Sequence, residues 1–281
     1  MLSRKIGIDL GTSRVRIFVK GEGVVLNEPA LTTGDRDSTQ VLHRLIGKAK
    51  GRPRLFKPEV VVSVPSNVTA TERRAVTEAA MAAGARQVWL IDEPLAAAMG
   101  AGLPIGELRA SAICEMGAGT TEVAVISLSG TVASQSIAVG GRSLDKAIAE
   151  ALGIAEREAE EVKIAVGSAV VMEEPLVTSV GDREVSSNDI AKAVEGPLRA
   201  ITAAIRKVLA ETPREHIQAL AQRGIVLSGG AAQLRGLAEF VAAGAGVPAV
   251  VADDPQTSVV RGTGLALDHF EVMRRNQSYL R

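Results

Sequence analysis

The sequence predicts an α/β protein built from two similar domains, each opening on three strands and continuing with alternating helices and strands. Three observations predict it. A glycine-punctuated strand-turn-strand hairpin stands at Asp9–Ser13 and again at Glu115–Thr121. The order βββαβα follows the first hairpin and recurs after the second. The 281 residues give room for about two domains with a real core. Two halves with one order of elements imply duplicate domains facing one another across a cleft.

In the first half, Lys5 to Leu10 is apolar and Gly11-Thr12-Ser13 has turn chemistry. Val15, Ile17 and Val19 then alternate with Arg16 and Phe18 until Gly21 and Gly23 break the pattern. A short third strand covers Val24 to Leu26. Residues 27–58 are polar, punctuated by prolines and glycines, and predict a lean connector with one helix from Ser38 to Lys50. Val60 to Val64 reads as a buried strand. Thr69 or Thr71 caps a helix that carries Ala75, Val76, Ala79 and Ala80 and stops at Gly84. Gln87 to Ile91 is a strand, and Glu93 to Gly102 is a small-residue helix with Pro94 in its first turn, where a missing N–H costs nothing.

The second half repeats the series. Strands are expected at Ala112–Met116, Thr121–Ile126 and Thr131–Val139, and helices at Ser143–Leu152, Glu156–Val166 and Ser187–Glu211. Gly224 to Leu227 is a strand, a helix runs from Gly230 to about Ala243, and Val247 to Val251 is the last strand. A final helix begins at Thr257. The expected domains are residues 1–105 with 255–281, and residues 106–254.

Composition narrows the function. Lys plus Arg and Asp plus Glu each number 32, so no bulk charge draws the chain to nucleic acid or to an anionic membrane. Apolar residues make up 46% but aromatics only 2%, which calls for a core of Ala, Val, Ile and Leu and leaves few rings to stack on bases. The one cysteine, Cys114, excludes an internal disulfide framework. The N-terminus lacks the apolar stretch of a signal peptide, so the cytoplasm is the expected compartment.

Three loops carry chemistry. Asp9-Leu10-Gly11-Thr12-Ser13 and Glu115-Met116-Gly117-Ala118-Gly119-Thr120-Thr121 pair a carboxylate at a strand end with a glycine turn and adjacent hydroxyls. Such turns point backbone N–H groups at phosphate oxygens, and the carboxylate can hold Mg²⁺ through water. Either alone also reads as an ordinary hairpin turn; their matched position in both halves favours phosphate binding. The third loop, Leu227-Ser228-Gly229-Gly230-Ala231, lets backbone approach a ligand between a strand and a helix, or is a plain connection.

These residues resemble the actin, Hsp70 and sugar-kinase superfamily, and more closely the MreB-type bacterial actins. Ile6-Gly-Ile-Asp-Leu-Gly-Thr12, Val25-Leu-Asn-Glu-Pro29, Leu90-Ile-Asp-Glu-Pro-Leu-Ala-Ala-Ala98, Thr120-Thr-Glu-Val-Ala-Val-Ile-Ser127, Gly224-Ile-Val-Leu-Ser-Gly-Gly230 and Val260-Arg-Gly-Thr-Gly264 are similar to segments of that family, in family order. The resemblance implies two RNase H-like, actin-type domains around a nucleotide cleft, binding ATP with Mg²⁺. It implies that Asp9 and Glu115 act on Mg²⁺ through water. It also implies that Gly11, Thr12 and Ser13 form the first phosphate loop, with Arg14 at its tip as a phosphate contact or an exposed charge. Gly117, Ala118, Gly119 and Thr120 form the second, near Gly140 and Gly141. Glu93 takes the place of the residue that polarises the attacking water; the alternative is a helix-N-terminal acid stabilised by the dipole. Glu161 and Lys163 border the ribose and base, or form a solvated charged face. Gly229, Gly230 and Ala231 face the adenosine and phosphates.

The departures are as informative. The family's second loop begins with Asp and runs Gly-Gly-Gly-Thr, whereas this chain has Glu115 and Ala118. Glutamate is one methylene longer, enough to displace a water-mediated contact by about 1 Å and slow hydrolysis roughly 100-fold. Two peripheral subdomains are trimmed, after Pro29 and between Leu144 and Ser187. Leu55 and Phe56, flanked by Arg54 and Lys57, either pack under their own domain or dip into a membrane leaflet, as a similar pair does in some MreB proteins. The reading is a shortened MreB-like scaffold in cell shape or cell-wall morphogenesis, a slow ATPase at most, that assembles with itself or with a full-length MreB-type actin and contacts no nucleic acid. A non-hydrolysing regulatory paralogue and a sugar- or acetate-kinase-like phosphotransferase are the alternatives. For the latter no acceptor-activating base stands out beside Glu93, since His43, His216 and His269 lie outside the motifs.

Overall fold

The computed structural model describes residues 4–30, 38–50 and 57–275. The chain divides into two compact units, residues 1–108, 126–132 and 256–281 in one, 109–125 and 133–255 in the other.

The first unit is built on β1 (Lys5–Leu10), β2 (Arg14–Val19) and β3 (Gly23–Pro29), followed by α1 (Ser38–Lys50), β4 (Glu59–Val64), α2 (Ala70–Ala82), β5 (Gln87–Asp92) and α3 (Glu93–Gly100). Its five strands lie in the order β3-β2-β1-β4-β5, with β1 antiparallel to β2 and parallel to β4. Alternation sorts the two faces of this sheet. Ile6, Ile8, Val15, Ile17 and Val19 join Leu42, Leu45 and Ile46 of α1 in one core. The lean connector thus supplies core residues, and β3 extends three residues beyond the expected Leu26. Thr69 caps α2 through a reciprocal box, its hydroxyl accepting from the Glu72 N–H while Glu72 accepts from the Thr69 N–H.

The opposite face packs on α9 (Ser258–Arg275), which also meets α3. Small residues set the approach. A Cβ on Gly100 would lie 1.8 Å from the Ser258 carbonyl oxygen, and one on Gly262 would lie 1.7 Å from that of Ala96. This backbone-to-backbone contact explains how a chain so poor in aromatics fills its interior.

The second unit contains β6 (Ser111–Met116), most of β7 (Thr121–Ser127) and of β8 (Gly130–Ile137), α4 (Gly141–Leu152), α5 (Glu156–Val166), β9 (Val177–Val180), β10 (Arg183–Ser186), α6 (Ser187–Glu211), α7 (Arg214–Arg223), β11 (Ile225–Ser228), α8 (Leu237–Ala245) and β12 (Ala249–Val251). Its large sheet runs β8-β7-β6-β11-β12. Each large sheet therefore has the order third, second, first, fourth, fifth strand, which bears out the duplicated α/β architecture.

Three details correct the sequence reading. The helix expected from Gly230 to about Ala243 is a single 3₁₀ turn at Gly230–Gln233 and then α8, because Leu234 is extended and Gly236 is left-handed at φ 69°. The β9–β10 hairpin and α7 were not expected at all. Each presents little apolar periodicity: Val185 is the buried residue of the hairpin and Leu220 that of α7.

Candidate nucleotide-binding turns

The first turn follows β1. Asp9, 4% exposed, lies directly across from Arg16 in the β1–β2 register. The Arg16 guanidinium donates to Asp9 Oδ2 at 3.1 Å, and the backbone N–H of Gly11 donates to the same carboxylate. Burial pushes the Asp9 carboxyl above its ordinary range, and Arg16 and Gly11 oppose that shift. A Cβ on Gly11 would stand 2.7 Å from the Arg14 carbonyl oxygen, so the tight turn requires glycine. Thr12 and Ser13 are exposed. Arg14 turns away from the tip: its Nε donates to Asn27 Oδ1 at 2.6 Å and its NH2 to the Asn27 carbonyl at 2.9 Å, tying β2 to β3.

The second turn follows β6 and is braced on several sides. The Gly117 N–H closes it on the Thr120 carbonyl at 2.9 Å. The first N–H groups of α4 hold it from outside, Gly141 donating to the Gly117 carbonyl at 2.9 Å and Arg142 to that of Ala118 at 2.8 Å. Gly140 seats α4 there, since a Cβ would come within 2.7 Å of the Gly117 oxygen and 2.8 Å of the Ala118 oxygen. Thr121 anchors the start of β7 by donating to the Val139 carbonyl at 2.7 Å.

Glu115 is buried and aligned with Ser228 of β11. Its carboxylate oxygens come within 3.6 Å of where a Gly117 Cβ would be, and 2.7 Å of where a Gly229 Cβ would be. The longer acid is thus accommodated by glycine on both sides. Gly229 is the most constrained of the site glycines: φ is 88°, and a Cβ would also lie 2.3 Å from the Met116 carbonyl oxygen. Gly230 is exposed with open space at its Cβ position, and Ala231 fits within the 3₁₀ turn.

Of the two residues expected at the base and ribose, only Lys163 joins this group. Its ammonium donates to Asp145 Oδ1 at 2.5 Å and to the Gly141 carbonyl at 3.5 Å, fastening α5 to the start of α4. Burial raises the Asp145 carboxyl, and Lys163 opposes the shift. Glu161 lies on the exposed side of α5, paired with Arg157 at 3.4 Å. At the end of α5, Arg235 donates to the Gly167 carbonyl at 3.2 Å and accepts from the Ala169 N–H at 2.7 Å, linking α5 to the loop after β11.

Glu93 is the first residue of α3. The preceding Asp92 makes no cap with its side chain and instead accepts from Arg73 at 2.5 Å. Leu55 and Phe56 lie outside the described residues. Among the described residues there is no group of three His, Cys, Asp or Glu that could hold a metal, and no helix long and apolar enough to cross a membrane. The sequence reading missed Arg16 and Asp145. Arg16 was legible from the hairpin register; Asp145 needed the packing of α4 on α5.

A profile of the MreB/Mbl protein family matches residues 34–275. The chain is similar to the cell shape-determining protein MreB of Escherichia coli strain K12, with 38% identity over 331 aligned positions that span 97% of this chain and 95% of the relative. It is similar to the cell shape-determining protein Mbl of Bacillus subtilis strain 168, with 33% identity spanning 99% of both chains. Among solved structures, MreB5 of Spiroplasma citri bound to ADP superposes with a TM-score of 0.88 and 26% identity, spanning 98% of this chain and 99% of that one. Aligning 331 positions with a chain of 281 leaves at least 50, 331 minus 281, where the Escherichia coli protein has residues and this chain has none. The missing positions fall within the aligned span.

Proposed function

Because the chain belongs to the MreB/Mbl family of bacterial actins, we propose that it is a cell-shape scaffold that binds ATP through the turns after β1 and β6. Nucleotide state would alter its assembly with itself or with a full-length MreB-type partner. The observation that carries the nucleotide reading is the second turn, where Gly140 and Gly229 allow a backbone approach that a side chain would block and α4 fixes its carbonyls. With the Gly117 N–H spent in closing it, a preformed turn of this kind offers its other N–H groups to phosphate without reorganising. Thr12 and Ser13 add exposed hydroxyls at the first turn.

The donors at Glu115 suit Mg²⁺, a hard cation that keeps several waters and takes its protein ligands from one or two carboxylates. When bound there it would offset the charge of the phosphates. Asp9 suits it less, because Oδ2 already accepts from Arg16. Glu93 is a carboxylate held at a helix start, where it can accept a proton from water.

A second reading, nucleotide binding without turnover, is favoured by Glu115, whose carboxylate reaches as far as the Gly229 position. Membrane contact through Leu55 and Phe56 belongs to the proposal as well, and would be weak for a monomer and strong only for a polymer. Sedimentation with ATP, with ADP and without nucleotide tests the scaffold reading. The expected result is a pelleted fraction that changes with nucleotide; a protein that stays monomeric in all three at high concentration refutes it. Phosphate release measured alongside separates turnover from binding alone.

A further inference from the structure

Two arginines follow the first turn and diverge. Arg14 is drawn to Asn27, whereas Arg16 is held on Asp9, with side chains 11% and 6% exposed. Arg16 Nε is buried and has no partner among the described residues, so the guanidinium keeps donor capacity beyond its bond to Asp9. Its charge is permanent and its position is fixed by the β1–β2 register. The second hairpin carries no such cation at the matching place: Arg16 stands seven residues after Asp9, whereas seven residues after Glu115 stands the buried acid Glu122. Asp9, with Arg16 on Oδ2 and the Gly11 N–H on its carboxylate, has less capacity left to hold a metal-bound water.

We propose that Arg16 is a tethered cation at the first turn, a positioning residue that holds Asp9 and neutralises part of the charge of a bound polyphosphate, so that ATP binding depends only weakly on Mg²⁺. The proposal rests on the nucleotide reading of this turn. It assigns Arg16 a role that a divalent cation would otherwise fill at Asp9.

The test is the dissociation constant of a fluorescent ATP derivative, followed by anisotropy in magnesium buffer and in excess EDTA. The wild type should weaken by no more than about threefold on metal removal. Arg16→Leu should weaken by about tenfold or more in EDTA yet stay within about threefold of wild type in magnesium, the loss expected for one charge-assisted contact. Arg16→Lys keeps the charge and should restore most of the metal independence; its thermal melt beside that of Arg16→Leu separates charge loss from unfolding. A wild type that loses tenfold or more in EDTA overturns the inference, even if no variant folds. So does an Arg16→Leu protein as insensitive to metal as wild type. Absence of wild-type binding in both buffers removes the nucleotide reading, and this inference with it.

Discussion

The turn after β1 and the turn after β6 occupy the same place in two copies of one sheet order, yet they are supported differently. The first projects Thr12 and Ser13 into solvent and satisfies its acid with Arg16 from the next strand. The second is enclosed by the start of α4, by Gly140 and by Gly229, and its acid faces glycines. Duplication of the fold has therefore not duplicated the site. One turn is stiffened by its surroundings, and the other is open and carries its own cation.

The largest way to break the comparison is Gly229→Ala. The left-handed backbone and the 2.3 Å approach to the Met116 oxygen both oppose a side chain, and a loss of about 3 kcal/mol is expected by thermal or denaturant unfolding. Removing one partner of the nearly buried Lys163–Asp145 pair comes next. Lys163→Met leaves Asp145 uncompensated and should cost about 3 kcal/mol or slightly less, and weaken ATP binding through the loosened start of α4. Gly140→Ala is milder for the fold, about 2 kcal/mol, since its φ of −157° suits any residue and only the overlap with the second turn matters.

Smaller still is a control outside both turns. The Ser186 N–H and hydroxyl donate to Asp189 at 3.0 and 2.7 Å and hold its carboxyl below the ordinary range. A carboxyl depressed by folding stabilises above its unfolded pKa and loses that contribution as pH falls through the folded value. Asp189→Asn should therefore be less stable than wild type at neutral pH and converge with it as pH falls below the ordinary aspartate range, as read by thermal melts. Gly230→Ala should be nearly silent, within about 0.5 kcal/mol, because nothing stands near its Cβ position.

Much of this contrast was legible in the sequence. Alternation in Val15, Ile17 and Val19 located β2, the run at Val60–Val64 located β4, and Thr69 marked the start of α2, because each signal is local. The glycines of both turns were legible for the same reason. What escaped depends on partners far along the chain. Asp145 reads as one more acid on an amphipathic helix until α5 brings Lys163 to it. Glu161, two residues before Lys163, points to solvent, a difference that helical periodicity contains but that only the packing of α5 decides. The Gly230 helix failed because Gly236, in the left-handed region, precedes the true start of α8.

The most direct measurement is a calorimetric titration of ATP into wild type and Gly140→Ala, both verified as folded by circular dichroism. The wild type is predicted to bind with a stoichiometry of about one, and the variant to bind at least about tenfold more weakly, because α4 can no longer seat against the second turn. A folded Gly140→Ala protein that binds ATP as wild type does, or a wild type that does not bind ATP at all, would contradict the account.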